Sequence, residues 1–282
     1  LIFGKWGFPQ MGVIGAGVGT LISRFIMFLL MWFFLKNLDK TKAYLIGFKL
    51  TLLENAMLKK IINLGLPSAL QMFFEIGVFT AAIWLSGTLG KNSQAANQIA
   101  LNLSSMTYMI AVGLGVAATI RVGNQKGLKR PIELRRIAKS IFLMGLIFAA
   151  VFAVLFLAFH EALPTFYLDV DDLINFKDNN EVVFIASQLL IIAALFQISD
   201  STQVVFLGAL RGLQDVKIPT LITFISYWIV GFPLCYYLGS EAMYGSAGIW
   251  MGLLAGLTTS SIFLYLRFDY LSKQFIIKNK TA

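Results

Sequence analysis

Charge is scarce in these 282 residues: 13% are Asp, Glu, Lys or Arg, against roughly 25% in typical globular domains, while 58% are apolar. A soluble core could not bury so much hydrophobic surface, so the solvent of this chain is lipid. Cysteine occurs once, at Cys235 among Pro233, Leu234 and Tyr236, and histidine once, at His160 beside Glu161. A disulfide framework, a Cys-based metal site and a His cluster are thereby excluded. The chain carries no GxxxxGK[ST] and no HExxH. Gly113-Leu114-Gly115-Val116-Ala117-Ala118 fits a GxGxxA pattern but falls inside an apolar run with no βαβ context. The residues point away from an enzyme, and no organic cofactor is called for. The net charge of +9 would suggest nucleic acid in a soluble protein, yet here the basic residues lie in short loops between apolar runs. They read as topology signals rather than as a nucleic-acid surface.

What the chain has in abundance is long apolar runs. Crossing about 30 Å of hydrocarbon takes roughly 20 helical residues. Runs of that kind occur near 12–35, 62–88, 97–120, 138–159, 182–207, 219–239 and 246–266. They are continuous rather than alternating, and lipid leaves no partner for an unsatisfied backbone, so all seven are expected to be helices. The expected fold class is an all-α polytopic membrane protein.

The basic residues divide unevenly between the two sets of loops. Nineteen fall in 36–60, 121–139, 211–217 and the tail 267–282; the other side has only Lys5, Lys91 and Lys177, with Arg24 inside the first run. Positive loops stay in the cytoplasm, which puts the C-terminus inside and Leu1 outside. The outer side also collects Glu161, Asp169, Asp171, Asp172, Asp178, Glu181 and Glu241. An odd number of spans, an exterior start and the absence of an initiating Met or signal peptide lead to the expectation that a preceding portion is missing. Segment 36–60, where Tyr44 to Leu58 mixes apolar and basic residues like an interfacial helix, is the natural boundary between lobes. The expected organisation is 1–36 as the last helix of a preceding lobe, 37–60 as a cytoplasmic linker, 61–267 as a six-helix lobe and 268–282 as a cytoplasmic tail.

Only two acidic residues fall within the apolar runs, Glu75 and Asp200. A carboxyl group in lipid is costly, so it faces a wet cavity, binds a cation or relays a proton, unless it is merely hydrogen-bonded in place. Each belongs to a polar stripe at helical spacing: Ser68, Gln71 and Glu75 at i, i+3, i+7, and Phe196, Asp200 and Gln203 at i, i+4, i+7. Hard cations such as Na⁺ take several oxygen ligands, which carboxylates, amides and hydroxyls on neighbouring helices can supply. A proton could use the same carboxyls, and the residues do not choose between the two ions. In the third run Gln98, Asn102 and Ser105 share a face, with Tyr108 and Asn97 nearby. They either line the same cavity or glue the bundle by interhelical hydrogen bonds. Arg24, beside Ser23, is read as a bundle-facing charge with a partner in the missing portion. Gly248, Gly252 and Gly256, and separately Gly15 and Gly19, form GxxxG patterns that permit close helix packing, while Pro67 and Pro233 are expected to kink their helices.

Three segments in order carry a family resemblance. Gly65-Leu66-Pro67 with Phe73-Phe74-Glu75 is similar to the seventh helix of MATE (multidrug and toxic compound extrusion) transporters of the NorM-like branch. Val122-Gly123-Asn124-Gln125-Lys126-Gly127 resembles the turn after their eighth helix. The stretch from Phe196 to Gln203, followed by Gly208-Ala209-Leu210-Arg211-Gly212-Leu213-Gln214-Asp215, resembles their tenth helix and the cytoplasmic turn beyond it.

The resemblance covers the whole chain as helix six plus the six-helix C-terminal lobe. It implies two six-helix lobes around a central cavity with alternating access, and a monomer in the bacterial inner membrane that exports organic cations against Na⁺ or H⁺ entry. Glu75 and Asp200 would then be the coupling site, the candidate Na⁺ ligands, with Gln71, Gln98, Asn102, Ser105, Tyr108, Phe196 and Gln203 lining the cavity. One position departs from the pattern: Phe196 stands where a Tyr is often found, which removes a hydroxyl ligand. A related flippase for lipid-linked sugars is the alternative, but its cavity would be richly cationic, whereas Arg24 is the only basic residue expected at mid-span. A seven-helix receptor or retinal protein is disfavoured because the last run, Ser246 to Leu266, has no Lys for a Schiff base.

Overall fold

The computed structural model describes residues 9–37, 54–168, 176–240 and 243–280. Among them seven helical segments are long and apolar enough to cross a membrane, each matching one of the seven apolar runs. Segment 44–53 of the expected interfacial helix, and the outer acids Asp169, Asp171, Asp172 and Glu241, lie outside the described residues. The chain divides into two compact units, Leu1–Lys59 and Lys60–Ala282. In the first, α1 (Gly12–Asn37) is 26 residues of almost unbroken apolar sequence with Arg24 near its middle. Its GxxxG pair makes no tight approach at Gly19, which has nothing within 4 Å.

The second unit contains the remaining spans: α2 (Asn55–Thr88), α3 (Lys91–Gly127), α4 (Pro131–Phe159), the single turn α5 (Ala162–Thr165) and α6 (Phe176–Gly212). The sixth span is composite, with α7 (Lys217–Phe224), a π-helical segment (Ile225–Gly231) and α8 (Phe232–Leu238), and α9 (Gly245–Lys280) closes the chain. Helices outrun the apolar runs because hydropathy marks only the part in hydrocarbon. The Val122–Gly127 motif, expected as a turn, is therefore the last turns of α3. The reversal itself comes at Lys129, whose φ of 55° is left-handed, followed by Pro131 at the first turn of α4. Likewise Gly208 to Gly212 is helical, and the chain turns at Gln214 with φ 59°.

The helix at the centre is α6, where nineteen of 37 residues are buried. Its N-terminal half packs with Ala96, Ala100, Phe156 and Trp250. Its C-terminal half packs with Val122, Leu134, Leu264 and Phe268. Outward-facing side chains are large and apolar, as lipid demands; on α4 they include Leu143, Ile147, Val151 and Val154. Two seams bring backbones together. On the α3–α6 seam a Cβ on Gly208 would meet Gly115 O at 2.2 Å, and one on Gly212 would meet Thr119 O at 2.6 Å. Thr119 Oγ1 donates across the same seam to Gly208 O at 2.9 Å. On the other seam the three glycines of α9 lie against the sixth span: a Cβ on Gly248 would meet Leu238 O at 1.9 Å and one on Gly252 would meet Cys235 N at 2.3 Å. The expected packing role of this GxxxG series is realised.

Pro233 does interrupt the sixth span. Lacking an N–H, it cannot donate back to the preceding turn, and the seven residues Ile225–Gly231 just before α8 take the wider π winding. Pro67 lies inside α2, and Thr220 Oγ1 reaches its carbonyl at 2.8 Å. At one end of the unit Lys91 pairs with Asp178 at 2.5 Å, and Asn92 donates to Glu181 at 2.8 Å. At the other end Asp269 pairs with Arg135 and Lys273, and Asp215 accepts from Arg267 at 2.8 Å.

Candidate functional site

A cavity of about 520 Å³ opens between α2, α3, α6 and the start of α9, within the size range of small-molecule sites. Both membrane-embedded carboxyls are in its wall, Glu75 from α2 and Asp200 from α6, with Ser105, Tyr108 and Phe196 from the expected set. The remaining wall is mostly apolar and includes Phe79, Met109 and Trp250.

The two carboxyls are held differently. Glu75 is half-buried and accepts two amide hydrogen bonds, from Gln71 Nε2 at 2.6 Å on one oxygen and from Gln203 Nε2 at 3.1 Å on the other. Each amide is anchored at its far end. Arg211 donates to Gln71 Oε1 at 2.6 Å, and the Tyr227 hydroxyl donates to Gln203 Oε1 at 2.9 Å. Gln71 and Gln203 are 1% and 0% exposed, so they sit behind the wall as supports for Glu75 rather than in it. Asp200 is buried at 6% exposure, yet no hydrogen bond to it is found among the described residues. Ser104, also in the cavity wall, has a buried hydroxyl with no partner among the described residues.

Besides Gln71 and Gln203, two further expected lining residues, Gln98 and Asn102, are not in the cavity wall. The α3 face that lines it runs through Leu101, Ser105, Tyr108, Val112 and Thr119. Asn102 is turned about 100° from its neighbour Leu101 around the helix and instead accepts from Tyr167 at 2.8 Å. Gln98 is exposed, nearly a full turn before the first lining residue. Ser68, expected in the Glu75 stripe, bonds back to Leu64 O at 2.9 Å and stays out of the network. Phe196, without the hydroxyl of a Tyr, packs its ring between Phe79 and Trp250, at centroid distances of 6.0 and 5.7 Å. Trp250 is fixed in turn by donating to Asn97 Oδ1 at 2.9 Å.

Arg24 was expected as the only basic residue at mid-span, and Arg211 adds a second cation at a span's end. Counted with a cytoplasmic loop, it belongs to the last turn of α6 and lines the cavity. Its register was visible, since eleven residues separate it from Asp200, which is about three helical turns on one face. Tyr227 left no comparable signal, because the π segment that delivers it breaks the 3.6-residue period. Among the described residues no group of three or more His, Cys, Asp or Glu could hold a metal. The oxygens available are hard donors, namely two carboxyls and the hydroxyls of Ser104, Ser105 and Tyr108. That is a set suited to a weakly held alkali cation rather than to a transition metal.

The model of the MatE family matches residues 67–237, a stretch that contains Glu75, Asp200, Arg211 and Tyr227. The chain belongs to the MatE family. The multidrug resistance protein MdtK of Proteus mirabilis is 39% identical over 278 residues, 97% of this chain and 59% of the relative. The MdtK of Photorhabdus laumondii is 38% identical over 279 residues, again 97% of this chain and 59% of its own length. The chain thus spans about three-fifths of the curated relatives it matches. In structure it is similar to the eukaryotic MATE transporter AtDTX14, with a TM-score of 0.82 at 18% identity, over 98% of this chain and 60% of that one. A MATE crystallised in a bent conformation superposes with a TM-score of 0.79 at 17% identity, over 100% of this chain and 59% of that one. The MATE-type helical bundle of an all-α polytopic membrane protein is therefore the fold of this chain.

Proposed function

We propose that this chain is the C-terminal portion of a multidrug exporter of the bacterial inner membrane. In this reading the exporter is a monomer that couples outward transport of organic cations to inward flow of Na⁺ or H⁺ by alternating access. It is a carrier and not an enzyme, with no organic cofactor and no nucleic-acid partner. The observation that carries the reading is the pair of carboxyls in the wall of one ligand-sized, largely apolar cavity. Buried carboxyls are expensive in lipid unless a cation or proton compensates them, and that compensation is what couples an ion to a conformational state. Asp200 and the Ser104 hydroxyl, both in the wall and both without a hydrogen-bond partner among the described residues, are the oxygens with lone pairs left for an ion; Glu75 completes the site. Phe79, Phe196 and Trp250 add aromatic surface to that wall, which suits a flat organic cargo. The MdtK name of the relatives supports drugs as the cargo class. A sugar-lipid flippase is not favoured, because the wall presents two carboxyls against one guanidinium.

The test is dye efflux from vesicles containing the complete protein, with inward Na⁺ and H⁺ gradients imposed separately. One gradient should drive ethidium export by the wild type. Glu75→Gln and Asp200→Asn, confirmed to insert, should each lose the driven component. Full gradient-dependent export by both variants would remove these carboxyls from the coupling site.

A further inference from the structure

The bonds around Glu75 have a fixed polarity that begins at Arg211. A guanidinium has only donors, so the end of the Gln71 carboxamide that meets Arg211 at 2.6 Å must be its oxygen. The other end is then necessarily the NH₂ group, and it is this group that lies 2.6 Å from Glu75 Oε2. Without Arg211 the buried Gln71 oxygen loses its donor, and only Glu75 itself is left to hold the carboxamide in this orientation. Gln71 is 1% exposed, so no water competes to orient it. We propose that Arg211 is a positioning residue for Glu75, acting through the carboxamide of Gln71 and not as a cationic contact for the cargo. The proposal rests on the coupling reading of Glu75, and it assigns a role to a residue three helical turns from Asp200.

The alternative role of Arg211 has the opposite sign. As a bare positive charge in the wall of the same cavity, Arg211 would repel a cationic ligand, and its removal would tighten cation binding. As a positioning residue, its removal frees Gln71, lets the Glu75 carboxyl swing and slows coupling. Lys at 211 is also a pure donor and preserves the polarity, whereas Leu at 71 breaks the relay with Arg211 still present.

The experiment uses the complete protein in two formats: ethidium binding in nanodiscs without gradients, and ethidium efflux from vesicles with inward Na⁺ and H⁺ gradients imposed together. Arg211→Gln and Gln71→Leu are each expected to lower the driven rate about tenfold, the scale of one charge-assisted hydrogen bond. The ethidium Kd should stay within about twofold. The double variant should be no slower than the slower single variant, and Arg211→Lys should recover most of the rate. Tighter ethidium binding by Arg211→Gln with an undiminished rate overturns the proposal, and so do losses that multiply in the double variant. Should Arg211→Gln fail to insert, Gln71→Leu and Arg211→Lys decide the matter, since an unchanged rate in Gln71→Leu also overturns it. Glu75→Gln separates the two levels. If that variant keeps its driven rate, the coupling reading fails; if it loses the rate while Gln71→Leu does not, only the relay fails.

Discussion

Tyr227 and Gln203 show how much a single buried polar contact can decide. Gln203 is fully buried, and its carbonyl oxygen has the Tyr227 hydroxyl at 2.9 Å as donor. Tyr227→Phe removes that donor and little else, leaving a buried acceptor unpaired at a cost of about 1–3 kcal/mol. The expected result is a lower unfolding temperature in detergent. Gln203→Leu should cost less on top of Tyr227→Phe than it does alone, because the hydroxyl and its acceptor are then both gone and only the Gln203 bond to Glu75 is lost as well. Additive losses would mean that the two side chains act independently. At this scale the sequence disclosed part of the site. Glu75 and Asp200 stood out because charges in apolar runs are rare, and Gln71 and Gln203 followed from helical spacing. Arg211 did not stand out, because a basic residue at the end of an apolar run is indistinguishable by composition from a loop charge. Asn102 misled because helical spacing says which residues share a face, not which partner each side chain finds: Ser105 lines the cavity while Asn102 accepts from Tyr167.

The helices depend on their glycines where backbones touch. Gly208→Ala places a methyl against Gly115 O and should force α3 and α6 apart, costing about 1–3 kcal/mol as overpacking does. Gly113→Ala, on α3 with nothing within 4 Å of the added carbon, is the matched control and should be neutral or slightly stabilising. Thermal unfolding of the two variants side by side measures this, and equal stability would show that the seam yields. The α9 series was legible because its three glycines repeat at four-residue intervals on one helix. The α3–α6 seam was not, since Gly115 and Gly208 are far apart in sequence and meet only in the fold. Pro233 marked the place of an irregularity in the sixth span, but no local pattern told a π winding from a simple kink.

For the whole molecule, the segregation of basic residues predicts that Lys126 is cytoplasmic and Lys91 external. The native Cys235 is buried, so it offers little background to a membrane-impermeant thiol reagent. Cysteines placed at 91 should label in intact cells and those at 126 only after the membrane is opened, and labelling at 126 from outside would reverse the topology. The number of spans was readable from hydropathy alone, because lipid imposes helices of a minimum length on any run that crosses it. The cavity was not, because it exists only where four helices diverge. Three of the spans that build this unit also meet at one carboxyl: α2 brings Glu75, α6 brings Gln203 and Arg211, and the π segment brings Tyr227. Sliding α2 against α6 by the rise of a single residue, about 1.5 Å, is enough to take the Gln203–Glu75 and Arg211–Gln71 bonds beyond hydrogen-bond length together, while the Gln71–Glu75 bond travels with α2. The joint between these helices therefore works as a pin and not as a slide: it is either seated or released, and partial travel has no stable stopping point.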